Sequence, residues 1–307
     1  MTAIYPHPMK GYEFGRIRAS PVMFFVIGLV VVIGSVLGGY MPHGNVAVLF
    51  QPFEFLIIIG AAIGAFIISN PKPILAKTAK QISRIFKAPP YSKAAYLELL
   101  TMMYSICKLI KSKGALAIES HIDAPHESSL FANYPTFLNN HHALEFLCDY
   151  LRLITMGTDN PHVLEDLMNE EIETHHHESQ SVSSAIITMG DGMPAFGIVA
   201  AVLGVIVTMA SITEPPEVLG ALVGAALVGT FLGILASYGV VGPIGKNLEA
   251  YANAEGKYYE CIKAVLLAHL NGAAPAVSVE FGRKCLFSHE RPSFQELEEA
   301  VENVLPV

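Results

Sequence analysis

Charge is scarce in this sequence. Asp, Glu, Lys and Arg make up 15% of its 307 residues, against 52% apolar residues. That balance leaves too few polar side chains to cover a soluble domain of this size, and it points to a chain that lives in a bilayer. A basic excess is missing too: the formal net charge is -8, which excludes the electrostatic footprint of a general nucleic-acid binder. Cysteine is sparse and scattered. Cys107, Cys148, Cys261 and Cys285 show neither CxxC spacing nor a disulfide framework, and each sits in or beside an apolar, helix-like run. They read as reduced core residues, in keeping with a cytoplasmic setting for those segments. A convincing alternating strand pattern is absent throughout.

Long apolar runs are what the sequence does have. Four of them, 22–40, 53–69, 192–213 and 218–245, approach or exceed the roughly 20 helical residues that cross about 30 Å of hydrocarbon. The expected fold class is therefore all-α, a polytopic membrane protein with four transmembrane helices and a large helical cytoplasmic domain. The first run is too long for a signal-peptide core and no obvious cleavage site follows it, so it reads as an uncleaved span behind a polar leader. Glu54 heads the second run, near the outer edge. Lys72, Lys77, Lys80, Arg84, Lys87, Lys93, Lys108, Lys111, Lys113 and Arg152 lie between runs two and three, whereas the connections 43–52 and 214–217 carry no Lys or Arg. Basic loops stay inside, so the large loop is cytoplasmic. Lys10, Arg16 and Arg18 before the first run, with Lys246, Lys257 and Lys263 after the last, put both termini on the same side. The chain then divides into a leader 1–21, spans within 22–69, a cytoplasmic helical domain 70–190, spans within 191–245 and a cytoplasmic extension and tail 246–307.

The soluble mass reads as helical. In "YLELLTMMYSICKLIKSKG" the apolar positions Tyr96, Leu100, Met103, Cys107 and Ile110 alternate gaps of four and three, and basic residues followed by Gly114 close the helix. A second stripe, Leu144, Leu147, Leu151 and Ile154, stops at Gly157. A third helix starts after Asn160 with Pro161 in its first turn and runs acidic toward the third span. Beyond the fourth run the chain shows no break until Gly272, which predicts one long helix projecting from the membrane as a lever. Ser293 and Glu296 form a capping box for a final amphipathic helix. "THHHES" invites a metal reading, but consecutive histidines point to different faces of a helix, unlike the i, i+4 spacing of a zinc pair, so no metal site is read there.

Small residues recur in the spans at i, i+4: Gly60 with Gly64, Gly220 with Gly224, Gly229 with Gly233, and the face Gly197, Ala201, Gly204. They predict close helix contacts, within one chain or between chains, and their density in the fourth span favours oligomerisation. Acids and bases are missing from runs one, three and four. An ion path made by this chain alone would need one, so a partner must bring the carboxylate. Hydroxyls remain at Ser35, Thr208, Thr230 and Ser237; Thr230, in mid-span, either bonds back to its own helix or lines a contact or an ion path.

The motifs "MPAFGIVAAVLGV", "VGTFLGILASYGVVGP", "MNEEIETH", "NYPTFL", "CDYLRLI", "NGAAPAVSVEFGRK" and "ERPSFQELEE" together resemble the MotA family of bacterial flagellar stator subunits, from about residue 22 to the end. The resemblance implies a proton-driven torque generator in the bacterial inner membrane, in which five MotA-type chains ring a pair of MotB-type chains. It implies that the MotB-type partner supplies a membrane aspartate and grips peptidoglycan, that the rotor protein FliG is engaged, and that no cofactor is needed. On the same basis Pro194 and Pro243 match the family's two functional prolines, Thr230 matches the hydroxyl of the ion pathway, and Ala201 stands where sodium-driven relatives carry threonine, which favours protons. Lys111 and Glu119 match the positions of an Arg and a Glu that engage the rotor; here Lys keeps the charge but loses the bidentate fork. A TolQ or ExbB type energiser of a cell-envelope system is the alternative, and four spans rather than three argue against it. A self-contained transporter would need an intramembrane charge or broken helices, and an enzyme a catalytic constellation; neither is found. Pro194 is left two readings, a plain helix start or an interior soft joint, and Pro243 in an unbroken lever favours the joint.

Overall fold

The computed structural model describes residues 21–83, 91–158 and 160–304. The polar leader with Lys10, Arg16 and Arg18, and the loop residues Arg84 and Lys87, lie outside the described residues. Everything regular within them is helical: α1 Pro21–Tyr40, α2 Pro52–Ser69, α3 Lys72–Ile82, α4 Lys93–Lys113, α5 Glu119–Asp123, α6 Pro135–Leu138, α7 His141–Thr155, α8 Pro161–Ala210, α9 Pro216–Ala236, α10 Gly242–Leu270, α11 Pro275–Cys285 and α12 Phe294–Glu302. Four candidate membrane spans are found, in the segments Met23–Tyr40, Val46–Ser69, Pro161–Ala210 and Pro216–Leu270, matching the four apolar runs of the sequence.

Local chemistry sets the helix ends. The side chains of Ser92, Asn140 and Asn160 cap the N-termini of α4, α7 and α8, accepting from the N–H groups of Ala95, Ala143 and His162 at 3.3, 3.4 and 3.0 Å. The capping box at Ser293 and Glu296 closes both ways, at 3.2 and 2.7 Å. Gly114, Gly157 and Gly272 end α4, α7 and α10 at φ of 86, 95 and 87°, a conformation that costs residues with a Cβ.

Two apolar bodies result. In the first, α4 and α7 pack with the start of α8, the far end of α10, α11 and α12 around Tyr96, Leu100, Met103, Leu147, Met168, Ile262, Val265 and Leu297. Each aliphatic side chain fully buried there stabilises the fold by about 1.5–3 kcal/mol. The stripe read from the sequence is buried except for the half-buried Ile110. It is also too narrow: Leu99, Met102 and Ile106 are buried as well, because α4 is covered on more than one side. The units 70–190 and 246–307, separated in sequence by two spans, thus share one core. Gly282 of α11 lets this happen, since a methyl group there would meet Val265 at 2.5 Å and Leu100 at 3.0 Å. Arg283 beside it is buried, gripped in bidentate fashion by Glu280 at 2.8 Å twice and donating to the carbonyl of Pro292 at 3.0 Å.

The second body holds α2, the last third of α8 and α9, packed through Ile58, Ala62, Met193, Ala200, Val228 and Leu232. Between the two bodies Val182 and Ile186 of α8 meet Leu248 of α10. The outward faces here are apolar: Val30, Ile68 and Leu227 are 62, 88 and 66% exposed, a surface suited to hydrocarbon or to other membrane helices. α1 stands almost apart, with Val32 beside Gly239.

Candidate functional site

The site begins with glycine. α8 and α9 run antiparallel with four glycines in the seam between them. A methyl group added at Gly204 would meet Ala226 Cβ at 2.7 Å, at Gly229 Ala200 Cβ at 3.1 Å, at Gly197 the carbonyl of Gly229 at 2.9 Å, and at Gly233 the carbonyl of Met193 at 2.8 Å. Backbones approach this closely only where side chains are absent. The other small residues singled out in the sequence behave differently. Among the described residues a methyl group at Gly60, Gly64 or Gly220 would meet nothing within 4 Å, and at Gly224 it would make only ordinary contact with Val48 at 3.5 Å, so those pairs do not mark close backbone approach within the chain. A glycine pattern says that close approach is allowed, and packing decides which face uses it.

Pro194 lies inside α8, which runs unbroken from Pro161 to Ala210. It is therefore an interior proline and deprives the Gly190 carbonyl of its helical donor. Pro243 follows a widened turn: Ser237–Val241 is π-helical, closed by the N–H of Gly242 donating to the carbonyl of Ser237. The π turn absorbs the proline without ending the helix, so α9, the π turn and α10 form the continuous lever from Pro216 to Leu270. The sequence signals the prolines but not the π turn. The packing register sets the two prolines at different levels of the α8–α9 bundle. Met193 faces Gly233, whereas Gly190 already faces Val241 and Gly242, and Gly245 faces Ile187. At 1.5 Å per residue the two prolines are offset along the bundle by about 8 Å.

Thr230 is half-buried on α9, its Cα 3.3 Å from a methyl group placed at Gly197. Ser35 and Thr208 return their hydroxyls to the carbonyls of Val31 and Gly204 at 2.6 and 2.9 Å. Thr230 makes no such bond among the described residues, which leaves its hydroxyl available to a ligand. The half-buried Ala201 lies across the seam, its backbone N 3.3 Å from a methyl group placed at Gly229. One participant escapes sequence reasoning. Glu54, read as an outer-edge residue, reaches the seam itself, its Oε2 3.0 Å from that same position at Gly229.

At the other end of the molecule, Lys111 is exposed in the last turn of α4, and Glu119 is exposed at the start of α5, after Gly114 and a 3-10 turn Ala115–Ile118. Neither is in an ion pair among the described residues. Lys111 has a charge effect nearby: burial, and then its ammonium, hold His269 below the usual histidine range. The three consecutive histidines meet three surroundings. His175 packs on Tyr259 at 4.9 Å and on His142 at 6.1 Å, His176 lies against Gly256, and His177 faces Glu173 at 3.5 Å. No group of three metal-ligating side chains converges among the described residues.

Comparison with known proteins gives this arrangement its relatives. The profile described as Motility protein A N-terminal matches residues 26–114, and that of the MotA/TolQ/ExbB proton channel family matches residues 139–260. Motility protein A of Salmonella typhimurium is 46% identical over 283 residues, covering 92% of this chain and 96% of the relative. Motility protein A of Escherichia coli is 44% identical over the same shares of the two chains. Among solved structures, that of C. jejuni MotAB superposes with a TM-score of 0.73 at 21% identity, over 88% of this chain and 98% of the other, a likeness of fold. With the profiles, the near full-length identity and the fold in agreement, the chain belongs to the Motility protein A family.

Proposed function

We propose that the chain is a stator subunit of a bacterial flagellar motor, which with a MotB-type partner conducts protons across the inner membrane and converts their flow into torque on the rotor protein FliG. Kinship with Motility protein A over nearly the whole chain carries this reading. The helical body built around α4 lies in the cytoplasm with both termini, as the distribution of Lys and Arg supports. Five copies surround two MotB-type chains, and the glycines that face outward, Gly60, Gly64 and Gly220, leave room for close approach between neighbours.

The α8–α9 seam contains no acid or base of its own between 192 and 213 or between 218 and 245. The partner's membrane aspartate supplies the main proton-binding carboxylate, next to the hydroxyl of Thr230. Ala201, lacking a hydroxyl, leaves the pathway without the extra oxygen that a sodium ion would use, and protons are the coupling ion. Neutralisation of the partner's charge changes the packing at the seam, and the soft joint at Pro194 and the π turn before Pro243 pass the change to the lever and the cytoplasmic body. Lys111 and Glu119 are the charges that meet the rotor. Co-expression tests the reading: in cells lacking their own stator, this chain alone should give neither swimming nor a fall in cytoplasmic pH, and adding a MotB-type partner should restore rotation. Swimming without the partner, or none with it, would refute the assignment.

A further inference from the structure

Glu54 brings a carboxylate to a seam whose own helices carry no charge there. It sits in the first turn of α2, yet its Oε2 is buried with no hydrogen-bond partner among the described residues, pressed to the α8–α9 seam where a methyl group at Gly229 would meet Oε2 at 3.0 Å, Ala200 Cβ at 3.1 Å and the N of Ala201 at 3.3 Å. The rest of the residue is half-buried, so the group has one sealed oxygen and a more accessible remainder. Helical rise places it well below the outer ends of the spans: Gly229 is about 20 Å along α9 from Pro216, and Ala200 about 15 Å along α8 from Ala210. Within that depth the facing segments offer no counter-charge, since 192–213 and 218–245 hold no Asp, Glu, Lys, Arg or His, and neither does the 3-10 turn Val46–Leu49 that packs beside Gly224.

A purely structural side chain at such a place would be apolar, because an unpaired buried carboxyl oxygen costs free energy that a leucine or glutamine would avoid. The sealed oxygen is also aimed at the residue preceding Thr230, across the one position in that turn of α9 that has no side chain. We propose that Glu54 is a second proton-carrying group of the ion pathway, a relay on its outer half that acts before the partner's aspartate; this rests on the stator reading above. A proton from outer water binds the accessible oxygen. The protonated carboxyl then turns so that its O–H takes the sealed position, gives that same proton to water at the level of Gly229 and Thr230, and returns to the carboxylate. No net charge accumulates on Glu54 over a cycle.

The test compares Glu54→Gln, Glu54→Asp and Gly229→Ala in the full complex with its MotB-type partner, in cells lacking their own stator. Rotation of tethered cells is recorded against external pH, and partner copurification is measured in parallel. The relay requires that Glu54→Gln, which keeps the shape and loses the exchangeable acid, assembles normally but turns at least tenfold more slowly at neutral external pH. Glu54→Asp should recover part of the speed with a changed external-pH profile, and Gly229→Ala, which displaces Oε2 while sparing the acid, should slow rotation as well. Wild-type rotation in Glu54→Gln at every external pH would overturn the relay, as would loss of copurification in Glu54→Gln, which would make Glu54 a packing residue. A wild-type complex that itself fails to rotate would instead overturn the stator reading.

Discussion

At the scale of single residues, exposure separates the charges that hold the fold from those available to a partner. Arg283 is buried and spends its whole guanidinium on Glu280 and Pro292, and such a group is structural. Lys111 and Glu119 are exposed and unpaired among the described residues, and both flank the turn that follows α4. An exposed ion pair contributes only about 0–1 kcal/mol, so at the proposed rotor contact single neutral substitutions should have small effects. Reversal adds repulsion and should do more. Lys111→Glu is expected to reduce swimming with unchanged membrane insertion, and a matching reversal on the rotor to restore part of it. Normal motility of the double reversal Lys111→Glu, Glu119→Lys would show that neither charge touches the rotor.

At the scale of elements, α8 and the lever α9–α10 each carry one departure from regular helix, and the two departures differ in kind. Pro194 removes a hydrogen bond and leaves the helix regular in count, whereas the π turn before Pro243 inserts an extra residue into one turn. A helix-interior proline costs up to about 3 kcal/mol relative to alanine, so Pro194→Ala should make α8 more stable. Greater stability is then expected to abolish function. Pro194→Ala and Pro243→Ala should each copurify with the partner and fail to rotate tethered cells. If both variants rotate as wild type, the prolines only punctuate the helices and coupling runs elsewhere.

At the scale of the whole molecule, the helical body built around α4 should be sensitive to acid. Burial holds His175, His121 and His269 below the ordinary histidine value of 6.5. For His175, burial is opposed by Glu255 on α10 and Glu178 on α8 and reinforced by His142 on α7 and Lys77 on α3; for His121 and His269 the neighbouring Lys113 and Lys111 reinforce it. Above 6.5 these groups are neutral in both folded and unfolded chains and stability does not depend on them. Below it the unfolded chain binds protons that the folded chain refuses, so stability falls as pH drops through 6.5 toward the lowered folded values. Thermal unfolding of the purified complex should therefore shift to lower temperature between pH 7.5 and 5.5, and His175→Gln should flatten the dependence. An unfolding temperature that does not move over that interval would count against this account.

Much of the architecture is written locally. The length of an apolar run, the i, i+3, i+4 stripe, and the Ser, Asn and Gly caps act within one or two turns, so the four spans, α4, α7, the start of α8 and the lever ending at Gly272 could be read from residues alone, whereas the passage of α8 through Pro194 could not. The MotA motifs, too, lie in continuous stretches. Interhelix register is another matter, because it depends on which backbones come into contact. That is why Gly60, Gly64 and Gly220 read in the sequence just as Gly197, Gly204, Gly229 and Gly233 do, and why the offset between Pro194 and Pro243 emerges only from packing. The π turn adds one residue to a helical stretch at no compositional signal that the run "SYGVVGP" reveals. Glu54 is the sharpest case: its position in α2 is local, but its burial depends on α2 starting low against the taller α8–α9 hairpin, and only tertiary packing decides that.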